Sequence, residues 1–315
     1  MKQWLQTGAC LLLLVASAGL YLYVDSLPQR QQITYQVTLL PLSALPVPKH
    51  KLDLFSEPEL SASSAAAIDL ATMTVLYQKQ AELPLPPAST VKMMTALVAS
   101  EQHNLDGRLS VLQLAAANGN NLPLRVGQTF ATRDLLAALL IASSNDVAEF
   151  LAESSPLGRA AFIAAMNQRA SDLGLRQTVF LNPSGLDEEG QVSSAYDLLL
   201  LARALLRQPA LREIVAQSQW LMVEQNSQSF YPLHNTNQLL YSLQGVRGVK
   251  TGTTAQAGQV LVTLLERDGR QILLSLMGSQ DRYTDTSRLI AWIFNNYEWR
   301  DVEAAVYTSS QPLEF

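Results

Sequence analysis

A serine and a lysine three residues apart form the first arrangement in this 315-residue chain that could carry out chemistry. Ser89-Thr90-Val91-Lys92 opens a stretch that runs to Val98 with apolar residues at helical spacing. Residues three apart share one face of a helix, so the serine hydroxyl and the lysine amine can come within hydrogen-bonding distance. A serine nucleophile needs a base, and a lysine becomes one when burial and a nearby cation lower its pKa. The pattern predicts a nucleophile and its base, or a chance Ser-x-x-Lys in a serine-rich chain.

A second polar group, Ser143-Ser144-Asn145, separates two stretches in which apolar residues recur at helical spacing. Serine and asparagine are common helix caps, so a structural cap is one interpretation. In the functional interpretation, the Ser143 hydroxyl relays a proton between Lys92 and a leaving amine. The Asn145 amide would then hold the peptide group of a substrate.

The third motif is Lys250-Thr251-Gly252-Thr253, which precedes an apolar, β-prone run. A glycine on an edge strand lets the backbone of a ligand approach closely. A threonine hydroxyl can hold a carboxylate, and the lysine supplies positive potential. The alternative is an ordinary glycine-rich start of a strand.

Lysine is used sparingly in this chain. From residue 59 onward the lysines are Lys79, Lys92 and Lys250, and arginine supplies the remaining positive charge. Lysine can lose its proton when buried and arginine cannot, so two of these three positions favour a chemical role.

Two predicted hairpins lie near opposite ends of the chain. The first joins Ala65 to Asp69 with Thr74 to Tyr77. The second joins Gln259 to Glu266 with Arg270 to Met277 through an Asp-Gly turn. Helices are predicted over Thr132 to Ala142, Asp146 to Ala152, Arg159 to Leu173, Ala195 to Leu206 and Ser287 to Tyr297. This order predicts an α/β sandwich whose sheet joins N- and C-terminal strands.

Composition excludes several functions. The formal net charge is −5 with both signs interspersed, so no basic stripe is available for nucleic acid. The single cysteine, Cys10, lies in an apolar run near the N-terminus. The folded body therefore has no disulfide framework, no Cys-plus-His metal cluster and no thiol nucleophile.

Thr7 to Val24 carries no charge and lies between Lys2 and Asp25, which predicts an export signal or a membrane anchor. The small residues at 16–18 offer a cleavage site, but the apolar run continues beyond them and favours an uncleaved anchor. The body of the protein is then extracytoplasmic. The predicted organisation is a signal or anchor at 1–24, a proline-containing spacer at 25–58 with a strand over 33–40, a folded domain at 59–300 and a tail at 301–315.

The order of the three motifs resembles that of class A β-lactamases and penicillin-binding proteins. The match extends to the residues around each motif and to Asn182-Pro183-Ser184-Gly185-Leu186. Together these segments look like the D-alanyl-D-alanine carboxypeptidase family of low-molecular-mass penicillin-binding proteins. The resemblance runs from about residue 61 to 296. It implies a DD-peptidase/β-lactamase-like α/β fold, with an antiparallel sheet of N- and C-terminal strands flanked by helices and a helical subdomain between them.

The resemblance implies that residues 59–300 are a serine DD-peptidase domain that needs no metal or other cofactor. Ser89 would attack the D-Ala-D-Ala carbonyl, Lys92 would take its proton, and water would release the acyl-enzyme. Backbone N–H groups of Ser89 and Thr253 would form the oxyanion hole. Lys250 and Thr251 would hold the terminal carboxylate. The implied partners are peptidoglycan stem peptides and β-lactam antibiotics.

One position and one segment depart from the family pattern. Ser144 stands where relatives commonly carry glycine, and Asn118 to Leu122 replaces an expected serine-rich segment. The chain resembles shorter family members, some of which are endopeptidases on cross-links. The alternatives are a serine β-lactamase, a wall-binding protein with little activity and a transpeptidase. A β-lactamase would need a carboxylate shortly before Leu181-Asn182, and residues 176–180 contain none.

Overall fold

The computed structural model of the protein describes residues 46–51, 56–113, 118–156, 158–227 and 229–300. The predicted N-terminal signal or anchor, the predicted strand over 33–40 and the tail at 301–315 lie outside these residues. Within the described ranges, no helix is both long enough and apolar enough to cross a membrane.

Short antiparallel pairs accompany one larger sheet. The strands of the described residues are β1 (Val47–His50), β2 (Ser64–Asp69), β3 (Val75–Lys79), β4 (Arg108–Ser110), β5 (Thr129–Ala131), β6 (Gln219–Val223), β7 (Phe230–His234), β8 (Val246–Thr254), β9 (Gly258–Arg267), β10 (Arg270–Ser279) and β11 (Tyr297–Arg300).

Most helices lie between β3 and β8 in sequence. The helices of the described residues are α1 (Lys92–Gln102), α2 (Thr132–Leu140), α3 (Asn145–Glu153), α4 (Gly158–Asp172), α5 (Ala195–Leu206), α6 (Pro209–Val215), α7 (Leu239–Ser242) and α8 (Arg282–Asn296). A 3₁₀ turn, Ala88–Val91, precedes α1.

The main sheet has the antiparallel order β3-β2-β10-β9-β8. Two strands from the N-terminal part of the chain therefore pair with three from the C-terminal part, as the sequence predicted. β2 pairs with β10, and β8 forms one edge of the sheet. The α/β fold class and both predicted hairpins are confirmed.

Alternating side chains of the sheet enter two separate cores. On β2, Ala66 and Ile68 belong to the core beneath the helices, whereas Ala65 and Ala67 belong to the core beneath α8. The same alternation continues along β9 and β10, because successive residues of a strand point to opposite faces. The small side chain of Ala66 on the helical side lets α5 pack close to β2. The sheet is thus the middle layer of a sandwich.

Helix α1 crosses the core on the helical side. Its residues from Lys92 to Ala99 are all buried, so this part of the helix is enclosed on every side. The predicted helix from Ser89 was wrong in its first turn. Ala88 has φ +49°, and the Thr90 N–H donates to the Pro87 carbonyl, which is 3₁₀ rather than α-helical bonding.

Helix α8 begins at Arg282, five residues before the predicted start at Ser287. Asp281 is the N-cap and accepts hydrogen bonds from the Thr284 N–H (3.1 Å) and the Thr284 hydroxyl (2.6 Å). The apolar pattern begins only later in the helix, which explains why periodicity missed this first turn. The additional turn places Arg282 beside the C-terminal end of β8 and the N-terminal end of β9.

β1 and β11 join the two ends of the described chain. Val47 is paired with Arg300, and His50 is paired with Tyr297. The His50 and Tyr297 rings also meet edge to face at 4.9 Å. β1 lies within the stretch that was assigned to the spacer, so residues 47–50 of that stretch are a strand.

Candidate active site

Ser89 lies in the 3₁₀ turn at the start of α1, between two close backbone contacts. A Cβ on Gly185 would lie 2.0 Å from the Ala88 carbonyl oxygen, and one on Gly252 would lie 2.8 Å from the Ser89 nitrogen. Only glycine fits these two positions. Because Gly252 has no side chain, edge strand β8 can lie directly against the serine turn. Ser89 itself stays partly exposed.

Lys92 is fully buried and its amine has three oxygen partners. The Nζ atom lies 3.0 Å from Ser89 Oγ, 2.7 Å from Asn145 Oδ1 and 2.5 Å from the Ser184 carbonyl oxygen. The amide and carbonyl oxygens can only accept hydrogen bonds. A neutral amine has two protons for these two acceptors, and its lone pair then faces the Ser89 hydroxyl. The geometry therefore suits Lys92 as the proton acceptor of Ser89.

The orientation of the Asn145 side chain is fixed from its other end. Its Nδ2 donates to the Asn118 carbonyl at 2.6 Å, which directs Oδ1 toward Lys92. Both ends of the amide are therefore engaged within the protein. Its observed contacts hold Lys92, and a contact between Asn145 and a substrate's peptide group stays a prediction.

Burial lowers the pKa of Lys92 well below its ordinary value, and the nearby Lys250 lowers it further. Glu149 and Asp146 act in the opposite direction. Both carboxylates are engaged elsewhere. Glu149 binds Arg159 at 2.7 Å, and Asp146 accepts from neighbouring hydroxyl and backbone N–H groups. The net lowering of the pKa favours the neutral form of the Lys92 amine.

The second motif ends α2 and starts α3 by a sharp turn at Ser143, which has φ +61°. The N-cap residue of α3 is Ser144, but its side chain makes no capping bond and donates to Asp146 instead. The Ser143 hydroxyl lies 2.9 Å from Lys250 Nζ. The flanking serine and asparagine side chains thus bind the two motif lysines, which the capping interpretation does not explain.

Lys250 lies on β8 and is 1% exposed. It donates to Ser143 Oγ and, at 3.0 Å, to the Thr251 carbonyl. Burial, followed by the positive charge of Arg282, lowers its pKa to about 7. The site therefore contains two buried amines with lowered pKa values, joined to opposite sides of the second motif.

Arg282 was not predicted from the sequence. Its guanidinium donates to the Gly252 carbonyl at 2.7 Å, to Thr253 Oγ1 at 3.0 Å and to the Val260 carbonyl at 3.3 Å. It therefore brings a permanent positive charge to the end of β8 beside Lys250. A ligand carboxylate at this end would face two cationic groups.

All predicted site residues meet in one region. Ser89, Lys92, Ser143 and Asn145 are linked to one another or to Lys250, and Gly252 contacts the serine turn. Thr251 and Thr253 follow on the same strand. Sequence reasoning missed Arg282 and the role of the Ser184 carbonyl. Only Ser184 had a signal, because it lies in a segment that carried the family resemblance.

A partly exposed serine with a buried amine at its hydroxyl, next to a cationic strand edge, defines a centre for acyl transfer to serine. The comparisons with known proteins agree. A family model described as D-alanyl-D-alanine carboxypeptidase matches residues 53–281. The chain belongs to this D-alanyl-D-alanine carboxypeptidase family.

Characterised relatives and solved structures extend the match. D-alanyl-D-alanine endopeptidase of Escherichia coli is 34% identical over 76% of this chain and 79% of its own length. D-alanyl-D-alanine carboxypeptidase DacF of Bacillus subtilis is 31% identical over 77% of this chain, but only 64% of that relative is spanned. The Streptomyces K15 DD-transpeptidase superposes with a TM-score of 0.71 at 30% identity, covering 76% of this chain and all of that one. Penicillin-binding protein D2 of Listeria monocytogenes, in its cefotaxime-bound form, gives 0.67 at 31% identity and the same coverage.

Proposed function

We propose that this protein is a serine DD-peptidase that remodels peptidoglycan stem peptides and is acylated by β-lactams. The observation that carries the proposal is the placement of Ser89 Oγ 3.0 Å from a buried Lys92 amine whose other two partners are acceptors only. Family membership and the names of the relatives support D-Ala-containing peptides as the substrate class.

In the proposed reaction, Ser89 Oγ bonds to the carbonyl carbon of the penultimate D-Ala while its proton passes to Lys92. The C–N bond then breaks, and the proton held by Lys92 passes through the Ser143 hydroxyl to the departing amine, which makes Lys92 neutral again; Lys250 Nζ, 2.9 Å from Ser143 Oγ, would orient this hydroxyl. Water attacks the resulting ester, releases the shortened peptide and restores the serine hydroxyl. Lys250, Thr251 and Arg282 would bind the carboxylate next to the scissile bond. The Ser89 and Thr253 N–H groups would hold the oxyanion.

Relatives carry the names carboxypeptidase, endopeptidase and DD-transpeptidase. These three activities share the acyl-enzyme and differ in the leaving or accepting amine. We propose peptide hydrolysis for this chain, with D-Ala-D-Ala ends and D-Ala cross-links as the two candidate substrates.

A β-lactamase is the nearest alternative and would need a carboxylate to activate the deacylating water. The contacts of the nearby carboxylates do not favour it. Glu149 is paired with Arg159, and Glu188 accepts from Asn182 Nδ2 at 2.8 Å. We therefore expect the penicilloyl ester on Ser89 to persist, since each tenfold in lifetime needs only about 1.4 kcal/mol of added barrier.

Intact-mass analysis after mixing with benzylpenicillin tests the proposal. The parent protein should gain one penicilloyl group, and Ser89→Ala should gain none. Ser100→Ala is the matched control, because Ser100 lies on α1 and its hydroxyl donates to the Leu97 carbonyl at 2.7 Å. Undiminished labelling of Ser89→Ala would place the nucleophile elsewhere.

The same samples separate the alternatives. Loss of the adduct within seconds after removal of free penicillin would indicate a β-lactamase. Binding of penicillin without a mass change would indicate a non-catalytic wall-binding protein. Release of D-Ala from a D-Ala-D-Ala peptide, compared with cleavage of a cross-linked dimer, then distinguishes carboxypeptidase from endopeptidase activity. Addition of a peptide amine as acceptor reports transpeptidation.

We also propose that the domain acts outside the cytoplasm and that residues 1–24 hold it at the membrane. The uncharged run from Thr7 to Val24 and the cell-wall substrates in the names of the relatives support this location. Fractionation of cells with penicillin labelling of Ser89 provides the test. A labelled protein of full mass in the membrane fraction is expected, and a labelled protein lacking the N-terminal segment in the soluble fraction would contradict anchoring.

A further inference from the structure

Thr236 lies beside the candidate site but belongs to none of the three motifs. Its hydroxyl oxygen is 2.6 Å from the hydroxyl oxygen of Thr251 on β8. The residue is exposed, whereas Thr251 is only 5% exposed. The more exposed residue of this pair is therefore the one that the sequence motif does not contain.

Two hydrogen bonds hold the Thr236 backbone, one to Ile141 just after α2 and one to Tyr283 on α8. The Thr236 N–H donates to the Ile141 carbonyl at 3.2 Å, just before the second motif. The Tyr283 hydroxyl, on the first turn of α8, donates to the Thr236 carbonyl at 3.1 Å.

The neighbouring asparagines are buried and fix the turn. Asn235 accepts from the Asn237 N–H at 2.9 Å, and Asn237 accepts from the Leu239 N–H at 3.1 Å. Thr236 is thus an exposed residue between two buried ones. Its hydroxyl is preorganised, so less conformational entropy is lost when a ligand binds to it.

In a pair of hydroxyl groups at this distance, one O–H donates to the oxygen of the other group. The second O–H can then donate to a third partner. Whichever threonine donates to the other, one O–H remains to be donated outward, and it is strengthened by the bond behind it. Two cationic side chains bind this part of β8: Lys250 donates to the Thr251 carbonyl at 3.0 Å, and Arg282 donates to the Gly252 carbonyl at 2.7 Å. The third partner that suits this surrounding is an anionic oxygen, because charge-assisted bonds are the strongest.

We infer that Thr236 is a specificity-determining residue, whose hydroxyl completes with Thr251 a two-hydroxyl site for the carboxylate of the substrate. This inference rests on the proposed peptidase function and adds to it a residue outside the motifs. It requires that Thr236 contribute only when the ligand carries a free carboxylate at that position.

The test compares acylation of Ser89 by benzylpenicillin and by its methyl ester, which lacks the free carboxylate. Thr236→Val keeps the shape of the side chain and removes the hydroxyl. The second-order rate constant for the acid should fall by about tenfold or more, the usual effect of one hydrogen bond to a charged group. The rate constant for the ester should stay within about twofold of the parent. Thr236→Ser should restore most of the loss.

Ser242→Ala is the matched control, because Ser242 is an exposed hydroxyl in the same region that donates to the Gln238 carbonyl at 3.1 Å. Equal losses for acid and ester in Thr236→Val would show a structural role and overturn the inference. An unchanged rate for the acid would overturn it as well. Failure of the parent protein to react with either compound would instead reject the peptidase function, so the two failures are distinguishable.

Discussion

At the scale of single residues, the site depends on keeping an amine neutral next to a hydroxyl. The Asn145 and Ser184 oxygens take the protons of the Lys92 amine, and burial with the charge of Lys250 lowers its pKa. A side chain that keeps the positive charge but cannot release its proton should therefore fail in this position.

We predict that Lys92→Arg reduces acylation by penicillin at least about a hundredfold, as much as Lys92→Ala, because general-base catalysis is worth about that much or more. The rate of appearance of the penicilloyl adduct is the measurement. Lys79→Arg is the control, since Lys79 donates to the Leu60 carbonyl at 2.9 Å and should react as the parent does. A rate for the Lys92→Arg variant within a few-fold of the parent would rule out Lys92 as the base.

The second buried amine makes stability depend on pH. The folded pKa of Lys250 is about 7, and an unfolded lysine has a pKa of about 10.4. Between these values the unfolded chain binds a proton that the folded chain does not, so stability rises with pH in this window. Below about pH 7 both states hold the proton, and the full cost of burying the cation is present.

We predict that Lys250→Met removes a slope of up to about 1.4 kcal/mol per pH unit from the unfolding free energy between about pH 7 and 9. Urea unfolding at several pH values measures it. Lys79→Met serves as a control for the loss of one lysine. Equal slopes for the parent and Lys250→Met would contradict the lowered pKa.

At the scale of elements, two glycines of one loop show how a distant segment shapes the nucleophile. Gly185 and Gly190 both have positive φ, +80° and +91°. A Cβ on Gly185 would lie 2.0 Å from the Ala88 carbonyl oxygen, whereas one on Gly190 would come no closer than 3.6 Å to the Leu181 side chain.

We therefore predict that Gly190→Ala loses about 1 kcal/mol of stability from backbone strain alone and keeps its acylation rate. Gly185→Ala should also move the serine turn, and a misplacement of about 1 Å reduces acylation about a hundredfold. Chemical unfolding and penicillin acylation rates measure the two effects. Equal acylation rates in the two variants would show that Gly185 does not position Ser89.

The elements that follow local patterns were predictable from the sequence. The two hairpins and the helix Ala195–Leu206 follow from apolar periodicity and turn residues, which are properties of neighbouring residues. The 3₁₀ turn at Ser89 was not predictable. Its shape depends on Gly185 and Gly252, which meet it only in the folded chain.

The contacts of the candidate site also include local ones, which the sequence predicts, and tertiary ones, which it does not. Ser89 and Lys92 are three residues apart, so their contact follows from local geometry. Arg282 reaches β8 because Asp281 starts α8 early, and Thr236 reaches Thr251 through a turn held by Ile141 and Tyr283. These contacts arise from tertiary packing, and no spacing in the sequence indicates them.

At the scale of the whole molecule, the predicted site residues all come before Ala257, but β9 and β10, which pair with β8 and β2 respectively, come after it. β8 pairs only with β9 within the described sheet, and β2 pairs with β10. We predict that a chain ending at Ala257 does not react with penicillin although it contains every predicted site residue. A chain ending at Arg300 should react like the parent. Labelling of the shorter chain would show that the helical part positions Ser89 without the completed sheet.

The pairing of β2 with β10 also sets the order of events when the chain is made. Asp69 pairs with Ile272, about 200 residues later in the chain. β2 therefore cannot pair on that side until β10 has been synthesised. Contacts so distant in sequence form slowly, because a long loop must close first. Ser89 is synthesised early but meets Gly252 only when β8 is in place against β9. Nascent chains therefore carry a nucleophile without its site for most of synthesis, and competence for acylation arises only near the end.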